Sequence, residues 1–290
     1  MRTSHDAGAA SPPMNLREAQ LEARTQLAHT ESPARDAELL LLHTLGITKA
    51  QLLIDPTREL ASAELAAYQA LLARRAAHEP VQYITGVQEF YGLPFRVTPA
   101  TLIPRPETEL LVESVLAQIP QHHAVRIADV GTGTGCIAIA LAVHLPYAHV
   151  TALDLSDAAL SVARENAAIN HVKRRVTPLH SDLLTSVAGL AFDVIVSNPP
   201  YVPLSDRSTL APQVRDFEPD TALYAGEDGL EIYRRLIPQA YAALHPGGLL
   251  ALEIGYGQDA ALRSLLSEWN EVTILNDLQG IPRTILAKRR

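Results

Sequence analysis

Val125-Arg126-Ile127-Ala128-Asp129-Val130 runs straight into Gly131-Thr132-Gly133-Thr134-Gly135-Cys136, and an apolar helical stretch follows to about Leu145. Strand, glycine-rich turn and helix in that order leave few folds open. The turn calls for residues that tolerate positive φ, and bare backbone lets a ligand approach the helix N-terminus closely. Units of this kind build open α/β sheets, whose ligands sit at the carboxyl ends of the strands. The spacing is not the dinucleotide G-x-G-x-x-G, because Cys136 stands where its last glycine would be. No lysine follows the glycines, which separates the turn from a phosphate-binding P-loop. Cys136 reads as a small residue at a helix start, with no neighbouring base to make it a reactive thiol.

The strands that follow each end on a polar group. Val150-Thr151-Ala152-Leu153 ends in Asp154, about twenty residues past the glycines, where a carboxylate can accept from both ribose hydroxyls. A helix is expected over Ser156 to Asn170, then a strand from about Arg175 to Leu179, followed by Ser181-Asp182-Leu183. The fourth strand, Phe192 to Ser197, is rich in β-branched residues and delivers Asn198-Pro199-Pro200-Tyr201. Neither proline can donate a ladder hydrogen bond, so the strand stops there, and Pro199 biases Asn198 away from the α region. A stiff turn holding one amide and one aromatic ring suits recognition of a planar NH2 group. The Asn198 oxygen and the Pro199 carbonyl can each accept one N–H, and Tyr201 can pack its ring on the flat group. The tetrapeptide alone also fits a proline-rich loop with Asn as a turn residue. Its place after glycines and two acids on successive strand ends is what an adenosine-type ligand needs.

The rest of the chain frames that sheet. With 290 residues, 47% hydrophobic and 19% charged, the chain is globular and long enough for one large domain or two smaller ones. A net charge of −8 disfavours a non-specific grip on a phosphate backbone. A single cysteine excludes an internal disulfide and fits a reducing, cytoplasmic compartment. No apolar run reaches transmembrane length, and residues 1–13 lack the apolar centre of a secretory signal; they read as a disordered leader. From Asn15 to about His78 the spacing is helical, with Ser32 as N-cap, Pro33 at the first helical position, Gly46 as C-cap and another helix beginning at Ser62. His29, His43 and His78 are scattered, and no metal site is expected. After Glu79-Pro80 the segments Val81-Ile84 and Phe95-Val97 read as short strands. Leu102 to Glu109, with Pro104 and Pro106 flanking Arg105, is a stiff approach to a helix reaching Ile119. Beyond the turn, residues 202–225 read as a long loop without a pattern of its own. A helix over Gly229–Leu244, a fully apolar central strand over Leu249–Ile254, a helix over 258–268 and an antiparallel strand pair at 271–275 and 283–288 complete the chain.

The sequence resembles the release-factor glutamine N5-methyltransferases (the HemK family) among the class I S-adenosylmethionine-dependent methyltransferases. The resemblance rests on Gln82 to Gly86, Phe90-Tyr91-Gly92, the Arg-Pro-Glu-Thr-Glu run Arg105 to Glu109, Asp129 to Gly135, Ser197 to Tyr201, Phe217-Glu218-Pro219 and Leu252 to Gly255. It implies a Rossmann-like seven-stranded α/β sheet with a small helical bundle in front. The expected division is a leader at 1–13, a helical substrate-recognition domain at 14–78, a β-hairpin linker at 79–110 and a catalytic domain at 111–290. Gly131, Thr132, Gly133, Thr134, Gly135 and Asp154 would hold the methionine end and ribose of the cofactor. Asp182 and Leu183 would flank the adenine; Leu183 stands where the family often has Trp, which keeps an apolar contact without a stacked ring. Asn198, Pro199, Pro200 and Tyr201 would be the catalytic turn that holds the substrate glutamine, Asn198 also contacting the cofactor, with Arg105 and Glu107 also facing substrate. The implied partner is a peptide chain release factor, methylated on the glutamine of its Gly-Gly-Gln motif, with no membrane and no stable nucleic-acid binding. Three other readings share parts of the pattern: a glutamine methyltransferase acting on a ribosomal protein, a nucleic-acid adenine-N6 methyltransferase, and an adenosine-ligand binding module without catalysis.

Overall fold

The computed structural model describes residues 14–290 and divides into two compact units, one ending at Thr85 and one running from Gly86 to Arg290. The expected leader at 1–13 lies outside the described residues.

The first unit is helical. Helix α1 (Leu16–Gln26) begins in a reciprocal capping box: Asn15 Oδ1 accepts from the Glu18 amide while the Glu18 carboxylate accepts from the Asn15 amide. Helix α2 (Pro33–Leu45) starts on Pro33 and ends at Gly46, which is left-handed at φ 63°. The Ser32 side chain makes no capping bond, so the proline alone marks that start. Helices α3 (Lys49–Ile54), α4 (Ser62–Ala76) and α5 (Val81–Thr85) follow. Leu16, Leu40, Leu41, Tyr68 and Leu72 meet in a shared core.

Helix α5 corrects the strand expected at Val81–Ile84. A four-residue apolar run carries no period of its own. Here Pro80 supplies the deciding contacts: its carbonyl accepts from the amides of Tyr83 and Ile84, and the Thr85 hydroxyl donates back to the Val81 carbonyl. The hairpin instead comprises β1 (Val87–Phe90) and β2 (Leu93–Arg96).

One buried ion pair holds the bundle. Arg75 Nε donates to Asp36 Oδ2 at 2.7 Å, the two side chains being 4% and 7% exposed. Removing the carboxylate takes away the buried guanidinium's bond to Asp36, so Asp36→Ala should cost about 3 kcal/mol of stability. Urea unfolding followed by far-ultraviolet circular dichroism checks this; a loss below about 1 kcal/mol would show that water already solvates the guanidinium.

The second unit is built on a seven-stranded sheet ordered β5-β4-β3-β6-β7-β9-β8. Its elements are α6 (Thr108–Gln118), β3 (Arg126–Val130), α7 (Cys136–His144), β4 (His149–Asp154), α8 (Asp157–Ile169), β5 (Val176–His180), β6 (Phe192–Ser197), α9 (Pro212–Arg215), α10 (Glu231–Ala243), β7 (Leu244–Glu253), α11 (Asp259–Leu265), β8 (Asn270–Asn276) and β9 (Pro282–Lys288). Strands β3 to β7 pair in parallel, and β9 runs antiparallel between β7 and β8. Side chains alternate between the two faces, as the period of a strand requires. Ile127, Val194, Val196, Leu249 and Ala251 pack with α6 and α7 on one face. Ala128, Val130, Ile195, Leu250 and Leu252 pack with α10 and α11 on the other. This is the Rossmann-like seven-stranded arrangement that the family resemblance implies.

Chain order fixes where a ligand can sit. From β3 the chain steps outward through β4 to β5, then returns to place β6 on the opposite side of β3. The switch point therefore lies between β3 and β6, with Val130 beside Ser197. The Ser197 hydroxyl donates to the Val130 carbonyl at 2.6 Å and ties the two strand ends together. The glycine turn and the Asn-Pro-Pro-Tyr turn thus leave adjacent strands on the same sheet edge, where open α/β sheets bind ligands.

Candidate active site

The glycine turn is pinned to the neighbouring strand. The amides of Gly131 and Thr132 donate to the Leu153 carbonyl at 2.8 and 2.9 Å, and the Gly133 amide donates to Asp154 Oδ2 at 2.8 Å. Asp154 Oδ1 accepts from the Ser156 amide, so the carboxylate is held rigidly at the end of β4 with lone pairs to spare. Gly135 is needed twice over: its φ is +81°, and an added Cβ would lie 3.0 Å from Ile139 Cδ1 and 3.2 Å from Ala163 Cβ. It lets α7 and α8 close on each other. A Cβ at Gly131 or Gly133 would meet nothing within 4 Å, so open space lies over the first part of the turn.

Beneath the turn, Asp129 is fully buried. Its Oδ2 accepts from the Thr132 hydroxyl at 2.6 Å and the Ala138 amide at 3.2 Å, while Oδ1 has no partner. Burial pushes its carboxyl up to about 7; the bonds from Thr132 and Ala138 oppose this, and the charge of nearby Asp154 adds to it. Two carboxylates with one orphaned oxygen suit a ligand bearing positive charge. Cys136 is buried, and that burial pushes its thiol up to about 12, in keeping with a small packing residue at the helix start.

Asp182 and Leu183 follow β5. Asp182 pairs with Arg235 at 2.6 Å on the surface, and Leu183 adopts φ +52° while packing on the core of the α10 face. A left-handed leucine is uncommon and costs about 1 kcal/mol, a strain typical of ligand sites.

The Asn-Pro-Pro-Tyr turn is held by residues far away in the chain. Asn198 Nδ2 donates to Thr108 Oγ1 at 3.1 Å. The Thr108 hydroxyl donates to Glu253 Oε2 at 2.6 Å, and the Tyr201 hydroxyl donates to Glu253 Oε1 at 3.2 Å. Gln258 Nε2 donates to the Tyr201 carbonyl at 3.0 Å while its Oε1 accepts from the Gly255 amide. The Tyr233 hydroxyl donates to the Glu253 carbonyl at 2.7 Å. Burial lifts the Tyr201 phenol well above its ordinary range, so it is a neutral donor.

The strand expected to be fully apolar over Leu249–Ile254 therefore carries a buried carboxylate at its end. Glu253 was visible as the one acid in that run, and Thr108 as the threonine of the Arg-Pro-Glu-Thr-Glu segment. Nothing local marked Gln258 or Tyr233. Arg105 Nη2 donates to both carboxylate oxygens of Glu218 at 2.8 and 2.7 Å, while Glu107 is exposed at the start of α6. That ion pair ties the approach segment to residues 202–225. The latter is more ordered than a patternless loop, with short helical turns at Leu204–Thr209, Pro212–Arg215 and Asp220–Ala222, and Val202 bridged to Tyr224. Among the described residues no cluster of three or more His, Cys, Asp or Glu could hold a metal ion.

Comparison with known proteins fits this geometry. The PrmC N-terminal domain family matches residues 18–86 and the methyltransferase small domain family matches residues 106–213. The release factor glutamine methyltransferase of Moorella thermoacetica is 45% identical over 96% of this chain and 99% of its own. That of Koribacter versatilis is 45% identical over 91% and 94%. That of Escherichia coli K12 is 42% identical over 92% and 96%. Among solved structures, the hMettl16 catalytic domain in complex with an RNA hairpin superposes with a TM-score of 0.54 at 19% identity, over 80% of this chain and 84% of that one. The Thermus thermophilus 16S rRNA N2 G1207 methyltransferase in complex with AdoMet and guanosine gives 0.53 at 19% identity, over 70% of this chain and 50% of that one. At such identities the likeness is one of fold. Relatives matched along nearly their whole length, on a sheet that carries Asn198-Pro199-Pro200-Tyr201 at its switch point, show that the chain belongs to the release factor glutamine methyltransferase family.

Proposed function

We propose that this methyltransferase acts on the side-chain amide of the glutamine in the Gly-Gly-Gln motif of peptide chain release factors, and that Asn198 to Tyr201 hold that amide. The observation that carries the reading is the Asn-Pro-Pro-Tyr turn beside an open glycine turn at one switch point. The site suits S-adenosylmethionine: Asp154 offers lone pairs for the ribose, and Asp129 and Asp154 answer a ligand with cationic ammonium and sulfonium centres. Gly131 to Gly135 with Asp154 would hold its methionine and ribose, and Asp182 with Leu183 its adenine. When bound, the cofactor supplies a sulfonium methyl group that moves to the amide nitrogen as its S–C bond breaks, a proton of the amide then leaving to solvent.

The chain's own task is orientation. An amide nitrogen is a poor nucleophile because its lone pair is delocalised into the carbonyl. Asn198 Oδ1 and the Pro199 carbonyl accept its two N–H groups and aim the nitrogen, and Tyr201 packs against the flat group. Pro200 stiffens the turn. Arg105, fixed by Glu218, and Glu107 line the approach of the protein substrate. The helical domain, taken as residues 14–78 with a hairpin linker at 79–110 and the catalytic domain at 111–290, carries no chemistry of its own and is assigned to substrate recognition.

The −8 charge argues against stable nucleic-acid binding, and the buried lone cysteine fits a cytoplasmic enzyme. Among the described residues no helix is long and apolar enough to cross a membrane. Methyl transfer from labelled S-adenosylmethionine, with release factor, ribosomal protein and DNA offered in parallel, tests the assignment. Label in release factor glutamine is expected; label in DNA or ribosomal protein alone would overturn it. Asp154→Ala should weaken cofactor binding by about 1–3 kcal/mol, the scale for lost hydrogen bonds to a charged group. Calorimetry showing unchanged affinity would remove Asp154 from the ribose site.

A further inference from the structure

The two ends of an asparagine amide have the same shape, so only neighbouring groups decide which end faces a ligand. At Asn198 that decision traces back to a carboxylate it does not touch. Thr108 has one hydroxyl proton, and its Oγ1 lies 2.6 Å from Glu253 Oε2 and 3.1 Å from the Asn198 amide. An ionised carboxylate only accepts, so the Thr108 proton is committed to Glu253. The hydroxyl then offers Asn198 a lone pair alone, and Asn198 must turn its NH2 inward. Its Oδ1 is left to face the substrate. Thr108 and Glu253 are each 2% exposed, so water does not compete for these bonds.

We infer that Thr108 and Glu253 are positioning residues, in which the Glu253 carboxylate, acting through the Thr108 hydroxyl, sets Asn198 as a hydrogen-bond acceptor toward the substrate amide. This rests on the proposed role of Asn198 in holding that amide. The same carboxylate also receives the Tyr201 hydroxyl, so one buried group on β7 orients both polar ends of the turn.

Protonating Glu253 reverses the chain. A carboxylic acid can donate to Thr108, whose hydroxyl then turns to donate to Asn198 Oδ1, and the amide presents NH2 to the substrate NH2. Donor meets donor, and the substrate is no longer held. The groups around Glu253 are Thr108 and Glu107 at the start of α6, Cys136 on α7, Tyr201 in the turn, Tyr233 on α10 and Arg283 on β9. Burial pushes the carboxyl up to about 7; the Thr108 and Tyr201 bonds and the Arg283 charge oppose this, while Glu107 adds to it. Because the ionised form is the competent one, turnover should fall as pH drops through about 7.

The test is a double-mutant cycle on the full-length enzyme with release factor as substrate. Thr108→Val keeps the shape and removes the hydroxyl; it should lower kcat by about tenfold or more with the S-adenosylmethionine Kd unchanged. Thr108→Ser, which restores the hydroxyl, should recover most of that loss. In an Asn198→Ala background, Thr108→Val should add less than about threefold, because no amide remains to orient. Glu253→Gln, which does not titrate, should flatten the acid limb of the pH profile. Full turnover in Thr108→Val, or a Thr108→Val loss that multiplies undiminished onto Asn198→Ala, would overturn the inference while leaving Asn198 in its role. Normal turnover in Asn198→Ala alone would instead remove the role of Asn198, and the inference with it.

Discussion

Asn198→Ala is expected to lower release-factor methylation on the order of a hundredfold or more, with a much smaller effect on S-adenosylmethionine affinity. The reason is geometric. The substrate nitrogen must present its lone pair along one line, and the Asn198 oxygen is one of two acceptors that stop the amide rotating. Removing it leaves the Pro199 carbonyl alone, and a single hydrogen bond is a pivot. The cofactor contacts assigned to Gly131 to Gly135 and Asp154 lie in the turn after β3 and at the end of β4 and are untouched. Stability should change by about 1 kcal/mol at most: Thr108 loses one partner but still donates to Glu253, and the two prolines still hold the turn. Asn198→Asp is the milder change. A carboxylate still accepts from the substrate amide, but it cannot donate to Thr108, and it stands in line with the Glu253 charge. A partial loss is expected. Single-turnover methylation with calorimetry of the cofactor separates the two effects, and normal methylation by Asn198→Ala would end the acceptor role.

Much of this site was readable from local chemistry. The glycine turn, the acid after β4 and the prolines after β6 each act on their own backbone, so their consequences appear within a few residues. The alternation along β3, β6 and β7 likewise reports burial on two faces. What no local pattern carries is pairing across the chain. Thr108 lies 90 positions from Asn198 and 145 from Glu253, and the two meet only because α6 packs on the sheet beside β7. The α5 segment failed for the opposite reason. Four apolar residues satisfy a strand or a helical turn equally, and the Pro80 carbonyl decided between them. Ser32 shows that a good capping residue need not cap when a proline already sets the first turn.

Gly229→Ala should be among the most damaging single-methyl additions in the catalytic unit. Gly229 has φ +73°, and an added Cβ would fall 2.3 Å from the Tyr201 carbonyl oxygen and 2.8 Å from Gln258 Nε2. Neither is a free side-chain end. The Tyr201 carbonyl belongs to the substrate turn, and Gln258 is bonded both to that carbonyl at 3.0 Å and to the Gly229 carbonyl at 3.3 Å. Left-handed strain costs about 1 kcal/mol and overpacking a further 1–3 kcal/mol, so a loss of about 3 kcal/mol is expected in urea unfolding. The functional effect is separate and larger in ratio. Relief of the clash must push Tyr201 away, and with it the Asn198 oxygen three positions back along a stiff turn. A displacement near 1 Å costs on the order of a hundredfold in turnover. Cofactor affinity, set at β3 and β4, should hold. A Gly229→Ala enzyme with wild-type turnover would mean that the 229 loop retreats instead of the Asn-Pro-Pro-Tyr turn, and that the turn is held more firmly by Thr108 and Glu253 than by its packing against Gly229.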